Sequence, residues 1–226
     1  MKRESKSVAS SLEHRLSGYA LAASAAGVGM LALAQPAEAK IVYTEADRKI
    51  KPGDSFRLDL NHDGVTDFTL TDSLHRYSAF GFATLLLKSP EGNGVQGGSK
   101  YAYALNRGAR IGPRLPFYGK QMEYVHWDVD SGYYYHGNWL NLSNRYLGVK
   151  FKIHAKVHYG WARLNVKAQG LTINAVLTGY AYETIPDKSI IAGKTHGKDV
   201  ITVEPATLGH LARGSSAIPA WRHKEQ

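Results

Sequence analysis

Residues 59–67, with the sequence DLNHDGVTD, carry oxygen-bearing groups at alternate positions and are the strongest candidate for chemistry in this chain. The side chains of Asp59, Asn61, Asp63 and Asp67 fill positions 1, 3, 5 and 9, and the main-chain carbonyl of Val65 fills position 7. Calcium takes roughly six to eight hard oxygen ligands, and a glycine at position 6 lets alternate positions converge on one ion. The segment therefore predicts a structural calcium site.

This segment resembles the calcium loops of EF-hand, dockerin-like and repeat-type extracellular proteins, although Leu70 stands where an EF-hand carries its bidentate glutamate. The same residues also favour a β-hairpin turn, because Asn-His-Asp-Gly lies between the apolar runs 56–58 and 68–70. The two interpretations are compatible, since an ion would pin the hairpin of a chain that has no cysteine.

A second candidate is the acidic and aromatic stretch from His126 to Trp139. Asp128 and Asp130 could serve a polysaccharide hydrolase as acid and base, although alternate residues of a strand would hold them close together, and solvated loop residues are the simpler interpretation. The aromatic residues could instead form the stacking surface of a carbohydrate-binding module. That surface would consist of Trp127, Tyr133, Tyr134, Tyr135 and Trp139.

Other catalytic signals are weak or missing. His154 and His158 are four residues apart, but the alternating pattern around them indicates a strand and a turn, which disfavours a helical zinc pair. The sequence has no Gly-x-Ser-x-Gly motif, no phosphate-binding glycine loop and no dinucleotide fingerprint. We therefore expect a protein that is not an enzyme.

The first 39 residues predict a bacterial signal peptide. Four basic residues precede an uncharged, apolar run at 16–34, and Ala37-Glu38-Ala39 supplies the small side chains of a cleavage site between Ala39 and Lys40. The apolar run also overlaps in length with a short membrane anchor. We expect a secreted or cell-surface protein that meets the membrane only through its targeting segments.

The last two dozen residues resemble a sorting signal. The run VEPATLG at 203–209 and the closing WRHK at 221–224 are similar to the PEP-CTERM signal, in which a Pro-Glu-Pro-like start leads to an apolar helix and a basic tail. Val203 replaces the first proline, His210 and Arg213 interrupt the apolar stretch, and Pro219 lies near its end. The resemblance implies export and association with the cell surface, through a degenerate signal.

Between the two terminal segments, short alternating stretches separated by Gly, Asn, Asp and Pro predict an all-β fold, a single antiparallel, jelly-roll-like β-sandwich. The expected divisions are a signal peptide at 1–39, a secreted β domain at 40–202 and a sorting-like tail at 203–226. A glycine-rich mobile loop is expected at 90–99 and an irregular segment at 106–139. The candidate strands are 40–44, 55–60, 67–71, 77–88, 100–105, 145–153, 156–166, 171–182 and 189–192.

The stretches YLGVKF, HYGWARL and LTGYAYETIP, within 146–186, resemble a group of secreted bacterial proteins of unassigned function. This resemblance spans residue 145 to about residue 205 and implies location and fold rather than an activity.

The charge and the cysteine content of the chain limit the kinds of site and partner that can be expected. The 226-residue chain has a net formal charge of +9, and its lack of cysteine excludes disulfides, thiolate zinc sites and a cysteine nucleophile. Its basic residues are scattered rather than clustered, so we expect an anionic or neutral polysaccharide or another envelope component as partner, and no nucleic acid. The sequence thus predicts a binding or scaffold role in the envelope or extracellular matrix; it gives no signal for the oligomeric state.

Overall fold

The computed structural model describes residues 40–203, and these residues form strands, turns and loops without any helix. No membrane-spanning helix is therefore found among them. The predicted signal peptide and nearly all of the sorting-like tail lie outside the described residues. The strands are β1 (Ile41–Ile50), β2 (Ser55–Leu58), β3 (Phe68–Arg76), β4 (Phe80–Lys88), β5 (Gly94–Val95), β6 (Arg110–Ile111), β7 (Gln121–Asp128), β8 (Gly132–Gly137), β9 (Arg145–Ile153), β10 (Lys156–Gln169), β11 (Thr172–Glu183), β12 (Ile190–Ile191) and β13 (Val200–Val203).

The strands form two large sheets and one small one. The first sheet has the order β13-β1-β11-β10-β9-β5, the second sheet has the order β2-β3-β4-β7-β8, and β12 pairs with β6. The pairs are antiparallel except for β1 and β13, which run parallel. The all-β prediction is confirmed, while the jelly-roll-like sandwich stays a prediction.

Residues of both large sheets form one apolar core. Leu85 of β4, Phe151 of β9 and Leu164 of β10 are fully buried members of the same cluster, which also contains Ile173 of β11. Alternation produces this core, because every second side chain of a strand points to the same face. Burial of such apolar surface contributes about 25 cal/mol per Å² to folding.

The hairpin of β9 and β10 follows its sequence prediction closely. Strand β9 occupies the predicted range 145–153, and Ile153 pairs with Lys156 across a two-residue turn. His154 and Ala155 have φ angles of 47° and 65°, as a type I′ turn requires. The predicted tight connection at these two residues is confirmed.

The glycine-rich segment 90–99 was predicted to be a mobile surface loop, and this is wrong for its second half. Residues 94–97 are buried, and β5 within them pairs with β9. A Cβ atom on Gly94 would lie 2.7 Å from the main-chain oxygen of Phe117. Glycine is required here by the close approach of another main chain, not by flexibility.

The segment 106–139 was predicted to be irregular, yet it contains β6 and the hairpin of β7 and β8. Residues 100–105, a predicted strand, form only isolated bridges, such as those between Tyr101 and Gln121 and between Leu105 and Tyr146. The hairpin completes one side of the second sheet and positions most of the predicted aromatic surface.

Candidate functional site

The segment 59–67 connects β2 to β3 at one end of the second sheet. Leu58 pairs with Phe68 and Phe56 with Leu70, so the predicted hairpin is confirmed. Leu60, inside the loop, is completely buried in the main core. Because this leucine fixes the loop to the core, the polar residues around it have a defined position.

Two aspartates build the turn of this loop. The main-chain N–H groups of His62 and Gly64 donate to the two carboxylate oxygens of Asp59, at 2.7 and 2.8 Å. Asp63 accepts the N–H of Val65 at 2.8 Å and the side-chain amide of Asn61, also at 2.8 Å. These hydrogen bonds hold the pKa of Asp63 below its ordinary value, the bond from Asn61 having the largest effect.

The other two predicted side-chain ligands lie deeper. Asp67 is 5% exposed and accepts the N–H of Leu60 at 2.8 Å. Burial raises the pKa of Asp67 to about 6, and the negative charges of Asp59 and Asp63 raise it further against the effect of the Leu60 N–H. Asn61 donates through its amide nitrogen, but its Oδ1 atom is buried without a hydrogen-bond partner. The loop thus carries three carboxylates and one unpartnered amide oxygen, and two of the carboxylates are near enough to influence the third.

The loop also lies against the first sheet. His62 Nε2 is hydrogen-bonded to Thr44 Oγ1 of β1 at 3.0 Å, and its ring centroid is 5.8 Å from that of Tyr180 of β11. Burial, followed by the charge of Asp63, raises the pKa of Tyr182 on the same strand. The loop therefore bridges the ends of the two large sheets, where a bound ion would join them.

Within residues 40–203, no three His, Cys, Asp or Glu side chains are arranged as a ready metal site. Asp59, Asp63 and Asp67 are of these residue types, so their carboxylates do not form such a group by themselves. The predicted donor set adds the amide oxygen of Asn61 and the main-chain carbonyl of Val65. A carboxylate has about four lone-pair positions, so Asp59 keeps about half of its accepting capacity after its two N–H contacts. The hydrogen bonds of the turn are thus compatible with a cation.

Asp128 and Asp130 lie in and beside the turn between β7 and β8. Asp128 Oδ1 accepts the N–H of Ser131 at 2.7 Å and that of Asp130 at 3.1 Å. These contacts, led by that of Ser131, hold the pKa of Asp128 below its ordinary value. A general acid needs a raised pKa, so the arrangement at Asp128 fits a turn and offers no support for a hydrolase.

The predicted aromatic surface is not one surface. Trp139 is completely buried, so its assignment to an exposed stacking surface is wrong. Trp127 and Tyr135 pack against the main core, and the Tyr135 hydroxyl accepts the N–H of Gly170 at 3.0 Å. Tyr134 lies between Tyr133 and Tyr135 in β8, and strand alternation places it on the opposite face.

The two histidines considered for zinc also serve structural roles. His158 is 5% exposed, and its Nδ1 atom is hydrogen-bonded to the Glu183 carbonyl at 2.9 Å. His154 occupies the turn at the end of β9. The structure thus confirms the strand-and-turn interpretation of this pair.

Sequence reasoning missed two further groups of residues in the second sheet. Asp72 and Glu123 face the core on either side of Leu85, and burial raises the pKa of each to about 7. The opposite, outward side carries rings from four strands. Its members, which we call the outer ring face, are His75, Phe82, Tyr124, His126, Tyr134 and His136.

No protein-family model, curated protein or solved structure matches this chain. The resemblances to PEP-CTERM proteins and to calcium loops therefore stay predictions.

Proposed function

We propose that this chain is an exported, non-enzymatic binding or scaffold protein of the bacterial surface, and that its β domain is stabilised by a calcium ion in the loop 59–67. The observation that carries the calcium site is the buried, unpartnered Oδ1 of Asn61, in a loop that also carries three carboxylates. An unsatisfied buried acceptor costs about 1 to 3 kcal/mol. A cation held by Asn61, its carboxylate neighbours and the Val65 carbonyl would remove that cost.

The remainder of the proposal rests on the sequence. The leader with its Ala-x-Ala ending supports export, and the PEP-CTERM-like tail supports association with the surface. A protein outside the cell that lacks cysteine gains no stability from disulfides. A calcium ion joining the loop to both sheets would supply stiffness by another route.

Calorimetric unfolding with calcium and with chelator tests the site. An ion that binds only the folded state raises the unfolding free energy by about 2.7 kcal/mol at a hundredfold excess over its dissociation constant. We expect a calcium-dependent rise in melting temperature that Asp63→Ala abolishes. Magnesium should have a weaker effect, because it demands a smaller octahedral site.

The matched control is Asp128→Ala, which also removes an aspartate that accepts main-chain N–H groups in a hairpin turn. This variant should keep the full calcium response, even if its basal stability changes. Equal melting temperatures of the unaltered protein with calcium and with chelator would overturn the calcium site and reduce residues 59–67 to a hairpin turn.

A further inference from the structure

We propose that the outer ring face of the second sheet binds an acidic polysaccharide. The inference presupposes the proposed export of the protein, but not its calcium site. Of the aromatic surface expected from the sequence, the outer ring face retains only Tyr134, and all of its members face away from the core.

Strand register assembles this face. His75 of β3 pairs with Phe82 of β4, Phe82 with His126 of β7, and His126 with Tyr134 of β8. The neighbouring row contains Ser73, Thr84, Tyr124 and His136 in the same order of strands. Two adjacent rows therefore cross four strands, and each row ends in an exposed side chain of β8.

The rings contact one another in a continuous path. The centroid of His75 lies 4.7 Å from that of Phe82, Phe82 lies 6.4 Å from Tyr124, and Tyr124 lies 6.1 Å from His136. His126 and Tyr134 form a further pair at 6.4 Å. Such mutual support fixes ring orientations before a ligand arrives, which lowers the entropy cost of binding.

Three rings of the outer ring face are exposed in the described part of the chain, and the other three, Phe82, Tyr124 and His126, are half-buried. Tyr134 is 45% exposed, and His75 and His136 are also exposed. Beside them, Phe80 stacks on Tyr77 at 4.5 Å, and both rings are likewise exposed. A contiguous aromatic patch of this kind is uncommon on a surface that has no partner.

The polar residues of the same face define the class of ligand. Beyond the two ring rows, the next row of the outward side contains Thr71, Leu86 and Gln121. The outward side then ends in the row of Arg57, Thr69 and Lys88, in which the two cationic side chains are exposed. Among the paired outward positions of these strands, Asp128 is the one acidic residue, and its carboxylate accepts the N–H group of Ser131 in its own turn. Rings and hydroxyl groups suit the apolar and polar sides of sugars, and the cations suit carboxylate or sulfate groups.

The dimensions also suit a polymer. Lys88 and Phe82 are six residues apart in β4, which corresponds to roughly 20 Å at about 3.3 Å per residue. An extended chain of several sugar units could contact the cationic end and the ring rows together. At the paired outward positions of this sheet, within residues 40–203, Arg57 and Lys88 are the only Lys or Arg residues. A nucleic acid requires more cationic side chains than these two to neutralise its phosphates.

Binding of polygalacturonate, alginate and hyaluronate, measured by affinity electrophoresis and titration calorimetry, tests the proposal. The neutral polymer dextran and single-stranded poly(dT) serve as comparison ligands. We expect at least one acidic polysaccharide to bind more tightly than both comparison ligands. Tyr134→Ala should weaken that binding by about tenfold, the effect expected of one lost ring contact.

Lys88→Gln should weaken the same binding and reduce its dependence on salt. The matched control is Tyr118→Ala, which removes an exposed ring, 69% accessible, outside the two sheets. Tighter binding of poly(dT), absence of binding to all three acidic polymers, or equal affinities of the Tyr134 and Tyr118 variants would each overturn the proposal. Each variant is first checked for an unchanged melting temperature.

The outcome is separable from that of the calcium site. Calorimetric unfolding with calcium and with chelator is performed on the same samples. A calcium-dependent melting temperature without polysaccharide binding would overturn the polysaccharide site alone. Polysaccharide binding by a protein whose melting temperature does not depend on calcium would overturn only the calcium site.

Discussion

Carboxyl groups of the second sheet lie in two contrasting regions, its core face and the turn after β7. On the core face, Asp72 and Glu123 are 1% and 0% exposed, and burial raises the pKa of each to about 7. In the turn, hydrogen bonds from main-chain N–H groups hold the pKa of Asp128 below its ordinary value, and the bond from Ser131 has the largest effect. Aspartates 72 and 128 are the same residue type, and their environments shift their pKa values in opposite directions.

The difference follows from the donors that each region offers. Neither carboxylate oxygen of Asp72 has a hydrogen-bond partner, and Glu123 has one, the N–H of Trp139. Desolvation therefore dominates on the core face, while well-placed N–H groups dominate in the exposed turn. The loop 59–67 combines both situations, because Asp63 resembles Asp128, whereas Asp67 resembles Asp72.

The largest effect that distinguishes the two regions should be the pH dependence of stability. Folding raises the pKa of Asp72 from 3.8 and that of Glu123 from 4.5, each to about 7. Between these values the folded protein binds more protons than the unfolded chain, so the unfolding free energy falls as the pH rises from about 4 to about 7 and then levels off. The loss should be on the order of 3 kcal/mol for each group.

Urea unfolding at several pH values measures this slope. Asp72→Asn and Glu123→Gln should each make the slope shallower, and the double variant should keep only the smaller slope that Asp67 contributes, whatever the absolute stability of each variant. Asp128→Asn is the control and should leave the slope between pH 4 and pH 7 unchanged. A flat profile for the unaltered protein would contradict the contrast between the two regions.

An intermediate effect is expected for Asp67→Asn. Burial and two neighbouring negative charges disfavour the ionised form of Asp67, while the amide oxygen of asparagine could still accept the Leu60 N–H. In calcium-free buffer at pH 8, the variant should be more stable than the unaltered protein by about 1 to 3 kcal/mol. The same variant should lose most of the calcium response, which calorimetry with calcium and chelator measures.

The opposite result for Asp67→Asn, a large loss of stability without calcium and an intact calcium response, would assign Asp67 a purely structural role. Asp67 would then resemble neither a calcium ligand nor Asp72.

The smallest effect is expected for Asp128→Ala. The substitution removes the two hydrogen bonds that Asp128 accepts in an exposed turn, so only a small loss of stability is expected. The cost should be greatest above pH 5 and should vanish in acid, because a lowered folded-state pKa contributes stability only while the carboxylate is ionised. A cost that persists at pH 2 would show that the turn depends on shape rather than charge.

The parts of the fold that were predicted correctly are those in which apolar and polar residues indicate which face of a strand points to the core. In β9, Leu147, Val149 and Phe151 alternate with Gly148, Lys150 and Lys152, and the strand was predicted with its observed bounds. The hairpin around residues 59–67 was predictable for the same reason, since turn residues separate two apolar runs. Such segments need only local information.

Strands β7 and β8 were missed because their sequences hide the alternation. Tyr and His occur on both faces of this hairpin, so Tyr133 and Tyr135 on one side and Tyr134 on the other look alike in the sequence. The buried Glu123 breaks the apolar pattern of β7 and lies beside a register shift. Once the register is known, the exposed ring rows are evident; without it, Trp139 and Tyr134 appear equally suited to bind a ligand.

Strand β5 was missed for a different reason. Glycine gives no signal of burial, and the need for it at position 94 comes from the main chain of Phe117, which is distant in sequence. The unpartnered oxygen of Asn61 was likewise beyond prediction, because it depends on how Leu60 fixes the loop to the core. Both cases require tertiary contacts that a single sequence does not specify.

The parallel pairing of β1 and β13 has a mechanical consequence. Ile41 lies beside Val200 and Thr44 beside Val203, so the chain enters at one end of this ladder and leaves at the other. Tension applied between the two terminal segments would load the hydrogen bonds of the ladder together, in shear, instead of opening them one after another. A protein pulled between two attachments would thus meet its resistance first at this edge of the first sheet, before the core is disturbed.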